Sequence, residues 1–196
     1  MKYDYGFFLR RYEQIEDDFL ELTEFVGLPS DFNHPSYSVG SSKLMDFCLK
    51  VGTEVETLFR VILKSRRFET VNGIAEKRQK QSINVYREVI EPTYRLSEYK
   101  LLVKLIDKEI HPFENFGSIP LDWFRIYSKY KHSKLELIEK WNLKHSLLSL
   151  GGLLILVINH PSRDGKEFRT HKVSHRVFDS LSLIPRFCGM IISVTS

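Results

Sequence analysis

Apolar residues recur every three or four positions along most of the chain, and this spacing predicts α-helices. The clearest helix begins after Ser41 or Ser42, either of which would cap it, and continues to Leu63. A single apolar face of this kind packs against other helices. A looser pattern predicts an earlier helix from Tyr3 to Val26 that ends at Gly27, with an inward face formed by Phe7, Phe8, Ile15, Phe19, Leu22 and Phe25.

The middle of the chain predicts shorter elements separated by loops. A more polar helix is expected from Gly73 to Glu91, where Pro92 interrupts it. The pattern LSEYKLLVKLI predicts a short helix from Leu96 to Ile106. The next ten residues, HPFENFGSIP at 111–120, predict an ordered loop that is rich in aromatic side chains.

Two further helices are predicted in the second half of the chain. The first starts at 120–122, because proline and an acidic residue both favour the first helical turn. The second runs from Leu135 to Asn159 and is apolar nearly all round after Leu147, which predicts a central position in the core. Gly151-Gly152 within it would permit close approach of another helix or mark a kink.

The predicted fold class is all-α, an up-and-down bundle of helices joined by short connections. We expect a single helical domain over residues 1–196, with its core at 43–159. Residues 160–196 form a C-terminal appendage whose pattern fits helix or strand, with Pro185 as a break.

The bulk composition is that of an ordinary soluble globular protein, with 42% hydrophobic and 28% charged residues. A net charge of +4 permits an anionic partner without requiring one. The basic residues concentrate in three places, each of which is either a solvated surface or a phosphate-binding surface: Lys64, Arg66 and Arg67; Lys77, Arg78 and Lys80; and Lys129, Lys131 and Lys134.

Targeting signals are not apparent, so we expect a cytoplasmic protein that does not enter a membrane. The N-terminus lacks the apolar stretch of a signal peptide, and the apolar run from Leu147 to Ile158 is shorter than a membrane span. Of the two cysteines, Cys48 falls on an apolar helical face, which predicts a buried free thiol, and Cys188 is far away in sequence.

Common catalytic motifs are absent from the sequence, including the phosphate-binding loop, the dinucleotide fingerprint, the zinc-protease helix and the hydrolase elbow. His171 and His175 are four residues apart and would share a helical face. A metal site needs three or four ligands, and no nearby cysteine or carboxylate completes this pair. We therefore expect no metal and no cofactor.

Arg125 and His132 are the strongest candidates for chemistry. Seven residues separate them, nearly two helical turns, so both side chains would lie on one face of a helix. Histidine exchanges protons near neutral pH and arginine bridges phosphate oxygens, which suits metal-independent RNA cleavage to a 2′,3′-cyclic phosphate. A solvated basic face would have the same spacing, so both interpretations stay open.

The surroundings of this pair resemble a known family. PLDWFRIYSKYKHSK is followed by a basic and then apolar helix ending LLSLGGLLILVIN. This succession resembles the HEPN superfamily (higher eukaryotes and prokaryotes nucleotide-binding), and more narrowly uncharacterised bacterial HEPN-like proteins. VGTEVETLFR in the second predicted helix and the EIHPFENF segment resemble the same group, so the resemblance spans about Lys43 to Asn159. The narrower group has a tryptophan-aromatic, then a tyrosine-asparagine, then a lysine-histidine pair, and the corresponding positions here are Trp123-Phe124, Tyr127-Ser128 and Lys131-His132.

The resemblance implies a homodimeric helical bundle in which the Arg and His motifs of two subunits form one cleft. Arg125 and His132 would be the catalytic residues. Some family members are metal-independent ribonucleases of toxin–antitoxin, phage-defence or RNA-processing systems, and others are not catalytic, so the implied partners are RNA, a nucleotide, an antitoxin or another protein. The additional binding residues would be Glu56, as a polar partner from the second helix, Ser128, Lys129 and Lys131.

Two positions depart from the family pattern. Ile126 stands where active ribonucleases of the family usually have a polar residue, and Ser128 replaces the asparagine of the narrower group. We therefore expect a module that binds RNA, a nucleotide or another protein, and we treat ribonuclease activity as the alternative function. The aromatic residues of the segment recur at helical spacing, which is typical of core or dimer contacts more than of base stacking: Trp123, Phe124, Tyr127 and Tyr130.

Overall fold

The computed structural model describes residues 4–65, 68, 82–131, 140–163 and 175–180, and this part of the chain is mostly helical. The predicted helical class is therefore confirmed, although a small sheet accompanies the helices. The α-helices of the described residues are α1 (Tyr5–Val26), α2 (Ser42–Leu63), α3 (Ile83–Tyr94), α4 (Asp122–Tyr130) and α5 (Leu143–Ile158). Short 3-10 turns lie at Pro35–Ser38, Leu96–Glu98 and Pro161–Arg163.

Polar side chains cap α1, α2, α3 and α5 at their starts, whereas α4 begins after Leu121 without a side-chain cap. The Ser41 hydroxyl accepts a hydrogen bond from the Leu44 amide at 3.2 Å, so the first of the two predicted caps of α2 is confirmed. The Asn142 side chain caps α5 in the same way. The predicted unbroken helix from Leu135 to Asn159 is wrong, because Asn142 is extended and forms a β-bridge with Gly40, so α5 begins at Leu143; Leu135 itself lies outside the described residues.

The last helix, α5, lies at the centre of the core and contacts α1, α2 and α4. Nearly all of its residues are buried, as its uniformly apolar sequence predicts. A methyl group added at Gly151 would lie 2.9 Å from the Pro112 ring, and one at Gly152 would lie 3.0 Å from the Trp123 ring. The predicted close approach is confirmed, and at Gly151 the neighbour is a loop rather than a helix.

A three-stranded antiparallel sheet corrects the all-α prediction. The strands are β1 (Leu101–Val103), β2 (Lys108–Ile110) and β3 (Phe178–Ser180), in the order β2-β1-β3. The predicted helix at 96–106 is wrong: only 96–98 forms a 3-10 turn, and β1 begins three residues later. Asp107 has a φ of 51°, the left-handed conformation that closes the hairpin between β1 and β2.

The residues before and within β3 attach the C-terminal part of the chain to α1. The Val177 amide donates to the buried Glu16 carboxylate at 3.0 Å, and the Val177 carbonyl accepts from the Lys104 amide at 2.9 Å. Val177 and Phe178 are fully buried. Within the appendage expected at 160–196, Val177 and Phe178 are thus part of the core whereas Arg176 beside them is exposed, and the open choice between helix and strand is resolved as strand at 178–180.

The structure also decides four smaller predictions, which concern Phe25, Pro92, the aromatic loop and Cys48. Phe25 was expected to face inward but is 71% exposed at the end of α1. Pro92 does not end α3, which continues to Tyr94 and stops where Arg95 takes a left-handed conformation with φ 49°. The aromatic loop is confirmed, because Phe113 is fully buried within a run of turns, and Cys48 is a buried free thiol.

Candidate functional site

The aromatic face of α4 is packed into the protein. Trp123, Phe124, Tyr127 and Tyr130 are all buried, so the interpretation of these residues as core is confirmed. The Trp123 indole N–H donates to the Pro112 carbonyl at 3.0 Å, which ties the first turn of α4 to the aromatic loop. Among the described residues, α4 therefore packs through this aromatic face, and Arg125 and Lys129 on its other side are exposed.

Arg125 lies on the open side of α4. Its Nη2 atom donates to the Asp122 carboxylate at 2.9 Å, and the two side chains are 57% and 72% exposed. Lys129, one turn further along, is also exposed. We refer to Arg125 and Lys129 as the basic face of α4.

A second set of charged groups lies on the α2 side of the same helix. The Glu56 carboxylate accepts a hydrogen bond from the Tyr127 hydroxyl at 2.9 Å and from the Lys131 ammonium at 2.6 Å. Its other oxygen accepts from the Arg60 guanidinium, one helical turn along α2. We call these four residues the Glu56 cluster. With the Glu56 side chain only 14% exposed, the cluster joins α2 to α4 at a largely buried point.

The pKa values in the Glu56 cluster follow from this arrangement. Burial raises the pKa of Glu56, but the hydrogen bonds from Lys131 and Tyr127, with the charges of Lys131 and Arg60, outweigh burial and hold it below its usual value. Burial also raises the pKa of Tyr127, and the Glu56 charge raises it further. Glu56 is therefore a carboxylate and Tyr127 a neutral donor at neutral pH.

The basic face and the Glu56 cluster point in different directions. Arg125 precedes Tyr127 by two residues, which turns the side-chain direction by about 200° in an α-helix. Since Tyr127 points to α2, Arg125 points away from it. Within the described residues the structure brings Glu56 and Lys131 together, as predicted for a polar partner of this segment, but it does not bring either of them to Arg125.

The other predicted site residues have different surroundings. Ser128 is half-buried, and Ile126 is a partly buried side chain that packs on the core. His132, the second predicted catalytic residue, lies outside the described residues. The prediction missed Arg60 as a partner of Glu56, although their four-residue separation on a predicted helix was a readable signal.

A cleft of about 450 Å³ opens beside the first turn of α4. Its apolar lining includes Pro112, Trp123 and Leu147, and its polar lining includes Glu114 and Asp122. Asp122 belongs both to this lining and to the ion pair with Arg125. The cleft and the basic face therefore adjoin at the start of α4.

His171 and His175 are the two histidines whose spacing could suit a metal ion. His175 lies just before the bend that leads into β3 rather than on a helix, with its ring 4.8 Å from that of Tyr12, and burial lowers its pKa. His171 lies outside the described residues. Among the residues that the structure describes, no group of three or more His, Cys, Asp or Glu is arranged to hold a metal ion.

The same described residues contain no helix with the length and apolar character needed to cross a membrane. Comparisons with known proteins return no match: no protein-family model, no curated protein and no solved structure is similar to this chain.

Proposed function

We propose that this chain is a HEPN-like helical module that binds RNA or nucleotides through the basic face of α4. The observation that supports this most is the state of Arg125. Its guanidinium is exposed, and its carboxylate partner is still more exposed. Such a surface pair contributes only about 0–1 kcal/mol, so a phosphate can take the place of Asp122 at little cost.

The charge of the surrounding segment also supports the proposal. Residues 121–148 contain six Lys or Arg and three Asp or Glu, a net charge of +3 out of +4 for the whole chain. Lys129 lies about 6 Å from Arg125 along the helix, comparable with the separation of neighbouring phosphates in a nucleic-acid strand. Arginine and lysine at this spacing would contact two successive phosphates.

Binding of a labelled single-stranded RNA, followed by fluorescence anisotropy over a series of salt concentrations, tests the proposal. We expect Arg125→Ala/Lys129→Ala to weaken binding at least about tenfold. The slope of log affinity against log salt should also fall by roughly 1.4, because each phosphate contact on a single strand contributes about 0.7.

Arg10→Ala/Lys43→Ala is the matched control, since it removes the same charges from exposed positions on α1 and α2. It should reduce affinity much less than the α4 double variant. Equal affinities for the two double variants, or no binding by the natural chain at low salt, would contradict the proposal.

Metal-independent ribonuclease activity is the second candidate function, and the exposed guanidinium of Arg125 favours it, since that group is free to face a phosphate undergoing cleavage. In this version two subunits place Arg125 and His132 in one cleft, so the mass in solution should be twice 23.1 kDa. Purified protein should cleave RNA in EDTA to products ending in a 2′,3′-cyclic phosphate. Full cleavage by His132→Ala would refute it.

A further inference from the structure

The cleft beside α4 has the size and lining of a small-molecule site. Its volume of about 450 Å³ falls within the range of roughly 300–1,000 Å³ typical of ligand sites. Trp123 and Leu147 are buried and form an apolar part of the lining. An apolar surface with a few polar groups around it suits a flat heteroaromatic ring.

One wall of the cleft is a rigid turn. Phe113 and Phe116 are fully buried and anchor the turn to the core. The Asn115 carbonyl accepts hydrogen bonds from the Ser118 and Ile119 amides, both at 2.9 Å. Glu114 therefore lines the cleft from a fixed backbone. Its carboxylate has no hydrogen bond or ion pair with the other described residues.

The polar lining of the cleft contains three carboxylates, of which Glu109 is already paired with Lys100 and His111, together with the side chains of His145, Asn115 and Lys144. Glu114 and Asp122 each contribute a carboxylate, and Asp122 is at the same time the partner of Arg125. Lys144 lines the cleft from α5 and adds a cation near the rim. A ligand that fits would combine N–H donors on a flat ring with an anionic group near the two cations.

We infer that the cleft binds the guanine base of a ribonucleotide or RNA strand, with the adjoining phosphate at Arg125. Guanine presents an N1–H and a 2-amino group side by side, and these two donors match the two oxygens of the Glu114 carboxylate. Uracil presents carbonyl oxygens on both sides of its single N–H, so the same carboxylate disfavours it. The inference rests on the proposed function, because it uses Arg125 as the phosphate contact.

The test is binding of GMP and of UMP to the full chain, measured by calorimetry and by tryptophan fluorescence. Trp123 lines the cleft, and Trp141 packs against His145, which also lines it, so both tryptophans report occupancy. We expect GMP to bind at least about tenfold more tightly than UMP, as two hydrogen bonds to a charged acceptor allow.

Glu114→Gln should bring GMP affinity down to that of UMP, because the amide replaces one acceptor by a donor. Glu114 is exposed, so this change leaves the fold intact. Glu24→Gln, at an exposed position on α1, is the matched control and should leave the preference unchanged. Equal binding of GMP and UMP, or an undiminished preference in Glu114→Gln, would overturn the inference.

The two proposals fail in different ways. RNA binding that needs Arg125 and Lys129 but shows no preference for guanine removes the base site and leaves the proposed function in place. A guanine preference that needs Glu114, with RNA binding that ignores Arg125 and Lys129, removes the proposed function and the phosphate contact at Arg125, and leaves only the base site. Absence of both nucleotide and RNA binding removes both.

Discussion

The basic face of α4 and the Glu56 cluster place similar charged groups in two different situations on one short helix. Arg125 and its carboxylate partner are both more than half exposed, whereas Glu56 is 14% exposed and has three donors. Water screens the first pair strongly and the second less, because the Glu56 carboxylate is largely buried although Arg60 and Lys131 are 42% and 36% exposed. The comparison indicates that the Glu56 cluster holds α4 on α2 and that the basic face is left available for a ligand.

Gly52→Ala is expected to lower the free energy of unfolding most, because it places a methyl group directly in the contact between α2 and α4. A methyl group at Gly52 would lie 2.2 Å from the Tyr127 ring, which is buried and held by its hydrogen bond to Glu56. Overpacking of this kind costs about 3 kcal/mol. The free energy of unfolding from urea titration measures it.

Gly6→Ala is the control, since a methyl group there has only ordinary contacts at 3.6 Å within α1. It should raise the free energy of unfolding by a few tenths of a kcal/mol or more, because alanine favours helix. A Gly52→Ala variant as stable as the natural chain would mean that α4 does not pack tightly on α2.

Glu56→Gln is the next largest, with an expected loss of about 1.5 kcal/mol at neutral pH, because the largely buried Glu56 carboxylate loses its charged hydrogen bonds from Lys131 and Arg60, which are themselves partly exposed. The Glu56 pKa is lowered in the folded chain, so its contribution is present above the ordinary value of 4.5 and disappears as pH falls below it. The stability difference between the two proteins should therefore shrink on acidification. A difference that stays constant from pH 7 to 3 would show that the charge of Glu56 does not stabilise the fold.

Tyr127→Phe should cost about 1 kcal/mol, the usual net value of one hydrogen bond. It removes the hydroxyl that donates to Glu56 and keeps the ring on Gly52. Tyr130→Phe, on the same helix, is the comparison, because its hydroxyl has no hydrogen bond to the described residues. Thermal unfolding of both variants measures the difference, and a larger loss for Tyr130→Phe would contradict the assigned role of Tyr127.

Arg125→Ala should change the free energy of unfolding least, by about 0.5 kcal/mol or less, because both members of its ion pair are exposed. The same variant should lose RNA affinity. This combination separates a ligand contact from a structural one. If urea titration showed a loss of about 2 kcal/mol or more in the free energy of unfolding, Arg125 would stabilise the fold as Glu56 does.

The sequence pattern predicted the elements whose contacts are local or follow one helical face. The α2 stripe, its Ser41 cap and the burial of the α4 aromatics all follow from spacing along a helix. The pairing of β1 with β3 could not be predicted in this way, because the two strands lie more than seventy residues apart in the chain. The β1–β2 hairpin is local, and it was missed because the apolar spacing of LSEYKLLVKLI also fits a helix. The contact between Lys131 and Glu56 likewise depends on how α4 packs against α2. The spacing of residues along one helix carries no information about that packing.

The division of α4 into two functional sides is tested most directly by RNA affinity at low salt, measured by anisotropy for two variants side by side. Arg125→Ala/Lys129→Ala should lose at least about tenfold in affinity with little change in stability. Glu56→Gln should lose stability while the folded protein keeps the RNA affinity of the natural chain. The reverse pattern, with RNA affinity lost in Glu56→Gln and kept in the double variant, would contradict the account.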